Sequence, residues 1–216
     1  DQLASGREVE AELRRMRELF LRWNPSTTMK CAIFEENGNR HDMQRVLGHV
    51  TLQNAVRRMG DFVLTSCAAN ALQPYRQNDN GWDQGQVFFT PSQVWGMPPY
   101  YAQQMAAAHH RPLTVGCGVE DADGVLDVTA TRSREAGSVV LHIANTGAEP
   151  LRVGLRVDGM RKVSQARMVS LSGDLDAVNT PEEPRRIAPV GRELPARAAQ
   201  TVDIAPYSYT IVVLDE

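Results

Sequence analysis

Apolar positions in the first part of the chain recur at helical spacing. Val9, Leu13, Met16, Phe20 and Trp23 follow one another at intervals of four and three, marking one face of an amphipathic helix. Asn24-Pro25 ends it, because the residue before a proline is pushed out of the helical region. Residues 29–34 form a short, mostly apolar run that predicts a strand buried on both faces, as in a parallel sheet. Asp42 is placed to cap a second helix with Met43, Val46, Leu47 and Val50 on one face, and Gly60-Asp61 stops it. Residues 62–69 predict a second buried strand, and the polar residues 73–86 a long loop. Pro98-Pro99 then opens a helix in which residues 102–108 have high propensity.

After Arg111-Pro112 the period changes. Short runs at 113–120, 126–131, 138–145, 151–157, 166–171 and 201–214 read as strands; Val139, Leu141 and Ile143 alternate, as do Val153, Leu155 and Val157. Asp123-Gly124, Thr146-Gly147 and Asp158-Gly159 mark turns between them. Residues 179–195, rich in proline, read as a covering loop. The chain therefore divides into 1–112, an α/β region with the strand–helix alternation of the last two βα units of a (β/α)8 barrel, and 113–216, an antiparallel β-sandwich of jelly-roll type.

Composition narrows the function classes. A hydrophobic content of 42% and a charged content of 23% are ordinary for a soluble globular protein. A net charge of −3 offers no basic field for nucleic acid and no polybasic signal for membranes. No apolar run approaches the roughly 20 residues of a membrane helix. The chain begins at Asp1 with a charged helical pattern and no signal peptide, so a fragment or processed product is the expectation. Cys31, Cys67 and Cys117 lack CxxC spacing and are expected to be small buried hydrophobes rather than metal ligands. The five histidines, His41, His49, His109, His110 and His142, are expected to be surface or structural.

The chemistry concentrates at Ala32-Ile33-Phe34-Glu35-Glu36-Asn37-Gly38. Two carboxylates follow a buried strand, and adjacent strand residues point to opposite faces, so only one can face a barrel axis. A carboxylate there is a candidate nucleophile or acid/base; two solvated acids entering a loop are the plainer alternative. Trp82, in a polar loop, is suited either to stack on a sugar ring or to anchor the loop. Trp95 and Tyr100 read as packing residues.

The stretch resembles the nucleophile-bearing strand of the family 51 α-L-arabinofuranosidases, which ends in Glu-Tyr-Gly, Glu-Tyr-Ala or Glu-Trp-Asn. Matching Glu-Asn-Gly to Glu-Tyr-Gly assigns the nucleophile to Glu36; a register one residue earlier assigns it to Glu35. Asn37 stands where the family has an aromatic residue. Ser66-Cys67-Ala68-Ala69-Asn70-Ala71-Leu72 resembles the last barrel strand, and Trp82-Asp83-Gln84 the Trp-x-Gln stretch whose glutamine contacts sugar, here Gln84. Ser92-Gln93-Val94-Trp95-Gly96-Met97-Pro98-Pro99-Tyr100-Tyr101 is similar to the family's helix start, and Leu175-Asp176-Ala177-Val178-Asn179-Thr180-Pro181-Glu182-Glu183-Pro184 to part of its C-terminal domain.

The resemblance implies a retaining glycoside hydrolase acting on arabinose-containing oligo- or polysaccharides. Glu36 would be catalytic, and Gln84, Trp82 and Asn37 substrate-binding. No cofactor or metal is implied. The family's acid/base glutamate sits in an Asn-Glu pair, and no such pair occurs here. A partner is therefore expected in the N-terminal half of the same barrel, and the isolated chain is expected to be inactive; homo-oligomerisation is compatible with the sequence. A related endoglucanase or xylosidase, and a non-catalytic carbohydrate-binding module, are the alternatives.

Overall fold

The computed structural model describes residues 5–77, 81, 83–121, 123–135, 137–160 and 162–216. Trp82 lies outside the described residues. Two helices and two strands open the chain: α1 (Ser5–Trp23), β1 (Cys31–Glu36), α2 (Met43–Arg58) and β2 (Val63–Ala68). β1 and β2 pair in parallel. Leu13 of α1 packs with Met59, Phe62 and Val63, and Val9, Phe20, Val56, Cys31 and Ile33 join them. Both helices therefore cover one face of the strand pair.

The other face is bare. Phe34 is 80% exposed and Leu64 69% exposed. Burial on both faces, expected from the apolar composition of these strands, does not hold, because nothing among the described residues covers that side. The cysteines also depart from expectation. Cys31 is half-buried, Cys67 and Cys117 are exposed, and all three are free thiols.

Of the expected loop over 73–86, only residues 73 and 74 are strand; two further short strands follow it. β3 (Leu72–Pro74), β4 (Val87–Phe89) and β5 (Val94–Gly96) form a small sheet of order 3-4-5. Phe88, Trp95 and Met97 make its apolar centre, with Tyr75 edge-on to Trp95. α3 (Pro98–Ala108) follows, with prolines in its first turn, where a missing N–H costs nothing.

The remaining strands are β6 (Leu113–Val115), β7 (Leu126–Arg132), β8 (Ser138–Asn145), β9 (Leu151–Arg156), β10 (Gln165–Ser172), β11 (Val190–Leu194), β12 (Ala199–Ile204) and β13 (Ser208–Asp215). Six form an antiparallel sheet of order β11-β10-β13-β8-β7-β6, and β12 and β9 form a separate pair. β11 falls inside the segment expected to be a covering loop. The run 201–214, read as one strand, breaks at residues 205–207 into β12 and β13.

The central strand of the large sheet, β13, is buried on both sides. Tyr209, Ile211 and Val213 of β13 pack on Met43, Val46 and Val50 of α2 and on Ala102 and Met105 of α3. Val212 and Leu214 face the opposite way, toward Leu155, Val202 and Ile204 of the β9–β12 pair. Strands covered on both sides read as continuous apolar runs rather than alternating ones, which is the pattern of Ile211-Val212-Val213-Leu214. With three α-helices, a single-turn 3-10 helix (Gly60–Phe62) and thirteen strands among the described residues, the chain is mostly sheet. No helix among them is long and apolar enough to cross a membrane.

Candidate functional site at the end of the parallel pair

β1 ends in Glu36, and α2 begins a few residues later. Asp42 caps that helix as expected, accepting the Arg45 N–H at 3.1 Å. The cap fixes the first turn, and Arg45 and His49, one turn apart, share a face directed at Glu36. Arg45 Nη2 donates to the Glu36 carbonyl oxygen at 2.6 Å. His49 Nδ1 lies 2.8 Å from Glu36 Oε2, and the Ser66 hydroxyl of β2 donates to Glu36 Oε1.

The Glu36 side chain is only 1% exposed and His49 is fully buried. Burial pushes the Glu36 carboxyl up, but the His49 and Ser66 hydrogen bonds and the nearby Arg45 charge outweigh it and hold it below the usual range. Burial pushes His49 down, so its imidazole is neutral, with Nδ1–H donating to Glu36. Its Nε2 is then an acceptor, facing the Gln86 amide nitrogen at 3.5 Å. The result is a buried carboxylate held by donors on two elements.

The loop after β2 is tied to the same rim. Gln84, which is buried, accepts the Gly38 N–H at 2.7 Å and donates to Asn37 Oδ1 at 2.8 Å. The Asp83 N–H donates to Asn39 Oδ1 at 2.6 Å. Gln73 braces the loop from behind, donating to Asp83 Oδ1 at 2.8 Å and accepting the Gly85 N–H at 2.9 Å. Gln84 is thus joined to Asn37 and Gly38, the two residues that follow Glu36. Both ends of the Gln84 amide are engaged within the chain, so a sugar hydroxyl there would have to share or displace Asn37.

Glu35, next to Glu36, is exposed. His49 and Ser66 were not singled out from sequence; the spacing of Arg45 and His49 on a capped helix that follows the glutamates was the available signal. Two surface hollows of about 290 and 470 Å3 lie along β10 and β11, and neither is lined by a residue of this rim.

Residues 24–208 match the family model described as the α-L-arabinofuranosidase C-terminal domain. Comparison with curated proteins gives no match. Similar solved structures include an arabinose-bound GH51 α-L-arabinofuranosidase, with TM-score 0.74 and 21% identity over 82% of this chain and 28% of that one. An arabinose complex of the Thermotoga maritima α-L-arabinofuranosidase has TM-score 0.75 and 18% identity over 87% of this chain and 43% of that one. The GH51 arabinofuranosidase from Xanthomonas axonopodis pv. citri has TM-score 0.76 and 11% identity over 99% of this chain and 46% of that one. At these identities the likeness is one of fold, and this chain spans less than half the length of each.

Proposed function

Because this chain belongs to the α-L-arabinofuranosidase C-terminal domain family, we propose that it serves as the C-terminal part of a retaining glycoside hydrolase that releases terminal α-L-arabinofuranosyl residues from polysaccharide. In this reading residues 1–112 are the last two βα units of a (β/α)8 barrel and 113–216 a sandwich that braces them. The observation that carries it is the parallel pair β1–β2, with Glu35 and Glu36 at the end of β1 and the next residues, Asn37 and Gly38, bonded to Gln84 of the loop after β2. Barrel enzymes place their chemistry at the C-terminal ends of parallel strands, which is where these residues lie.

A retaining mechanism needs two carboxyl groups about 5–5.5 Å apart, one attacking the anomeric carbon and one protonating the leaving oxygen. The nucleophile falls within the Glu35–Glu36 pair: the family motif nominates Glu36, and a register one residue earlier nominates Glu35, which is exposed. Gln84 and Asn37 line the subsite beside it, and Trp82 is placed by the sequence on the same loop. The second carboxyl group comes from a barrel half outside this chain, which also covers Phe34 and Leu64. A strand pair with two open edges and an open apolar face supports such a partner.

The test is turnover of an aryl α-L-arabinofuranoside by this chain alone and by the chain joined to an upstream barrel half. Activity only in the joined protein is expected; full activity of the chain alone refutes the reading. Faster turnover of β-glucan or xylan by the joined protein would instead support an endoglucanase or xylosidase, which Asn37, in place of an aromatic residue, leaves open.

A further inference from the structure

We infer that the groove between β10, β11 and the end of β12 is a second carbohydrate site, one that takes an acidic sugar, a hexuronate unit of an oligo- or polysaccharide. It lies on the sandwich, outside residues 1–112, and so stands apart from the hydrolase reading. The hollow holds about 470 Å3, within the roughly 300–1,000 Å3 of small-ligand sites.

Strand register builds the floor. Met168 of β10 pairs with Arg192 of β11, and Ser170 with Val190, along an unbroken ladder. Residues directly opposite one another share a face, and residues two apart return to it. Met168 faces the β9–β12 pair, packing with Val202 and Ile204. Arg192, Ser170 and Val190 therefore face the same way. The β9–β12 pair covers Met168 but leaves Val190 71% exposed. The groove is this uncovered end of the sheet face, walled on the far side by Ile204, Ala205 and Pro206.

The two walls carry opposite charges that do not meet. Arg186 and Arg192 line the β11 side and Asp203 the β12 side, and all three are exposed. None of them enters an ion pair among the described residues. Arg192 instead places Nη2 3.8 Å from Met168 Sδ, which holds the guanidinium over the floor. Glu193, next along β11, alternates to the other face. Glu182 and Glu183 do not line the groove.

A ligand that answers both walls offers a carboxylate on one edge, hydroxyl donors on the other and an apolar face between. A hexuronate ring has all three. Its carboxylate accepts the forked N–H groups of Arg192, and Arg186 adds a second cation. Hydroxyls on the opposite side of the ring donate to Asp203. The C–H face of the ring lies on Met168, Val190 and Ile204. A simple anion would use the arginines and be repelled by Asp203, and a neutral sugar would leave the arginines unanswered.

The experiment is calorimetric titration of the 216-residue chain at low salt with three probes: a galacturonic acid trisaccharide, its neutral galactose counterpart and sodium sulfate. The acidic trisaccharide is expected to bind, more weakly as salt rises, with the other two at least about 10-fold weaker. Arg192→Gln should weaken the acidic trisaccharide by roughly 10-fold or more, the loss of a charge-assisted pair, and leave the neutral one unchanged. Asp203→Asn is the decisive variant. It removes a negative charge, so it would strengthen binding of a simple anion, but it should weaken a ligand whose hydroxyls that carboxylate reads. Both side chains are exposed, so urea midpoints should match those of the unsubstituted chain. Sulfate or the neutral trisaccharide binding as tightly as the acidic one, tighter acidic binding by Asp203→Asn, or no heat with any probe overturns the inference. Each of these leaves the arabinofuranoside assay of the joined protein untouched.

Discussion

Acidifying the solution from about pH 7.5 to about pH 5 should weaken this fold by about 2 kcal/mol at His142 alone. His142 sits in the middle of β8, fully buried, with Nδ1 2.7 Å from the Tyr209 hydroxyl and the two rings stacked at 16°. Burial, and then the positive charges of Arg57, His109, His110 and Arg111, push its pKa from 6.5 down to about 2. Tyr209, pushed up to about 12 chiefly by burial, stays a neutral donor throughout this window. The folded chain thus keeps His142 unprotonated at pH 5, whereas the unfolded chain protonates it at the ordinary value. The unfolded state binds more protons, so stability falls as pH falls, beginning near 6.5 and ending only near the folded value. One proton is worth about 1.4 kcal/mol per pH unit, and pH 5 lies about 1.5 units below the ordinary value, which gives about 2 kcal/mol.

Glu36 contributes in the opposite range. Its lowered pKa gives stability that is present above the ordinary carboxylate value and is lost only below it, so this window isolates histidine. His49 adds loss in the same direction as His142, equally in any His142 variant. The assay is urea unfolding at both pH values for the unsubstituted chain and for His142→Gln. Glutamine lowers stability at both, but the difference between the two pH values should shrink by about 2 kcal/mol. An unchanged difference would refute the reasoning.

Further outcomes follow from the contacts between layers. Arg58→Ala removes a side chain that binds Glu10 of α1 at 2.6 Å and Asp127 of β7 at 3.0 Å; it should cost about 1–3 kcal/mol in urea unfolding, because both carboxylates lose a charge-assisted partner. Leu171→Ala, in the core between the helices and the large sheet, should cost about 2–5 kcal/mol. Leu64→Ala, on the bare face, should stay within about 0.5 kcal/mol in the isolated chain; a core-sized loss there would show that the face is covered.

Much of this was legible in local pattern. Asp42 before an apolar-periodic run announced the start of α2, and Pro98-Pro99 announced α3. Ser138–Asn145 was readable to the residue, since the alternation of Val139, Leu141 and Ile143 runs up to the Thr146-Gly147 turn. The short strands β3, β4 and β5 were not legible, because three residues carry no period; pairing with one another and the aromatic packing around Trp95 make them strands. The break between β12 and β13 was hidden inside one apolar run, where no helix-or-strand period changes.

At the candidate site the sequence alone fixed the order of chemistry-bearing residues: two glutamates at a strand end, an amide-rich loop after the next strand, and a capped helix between. Which way each side chain points was outside its reach. Alternation assigns faces only along an unbroken ladder, and the two register irregularities between β1 and β2 reverse that count. The tertiary structure alone decided that Glu36 turns to His49 and Ser66, that Glu35 stays exposed, and that α2 covers the large sheet. Each of these depends on contacts between residues far apart in the chain, and no local preference encodes them.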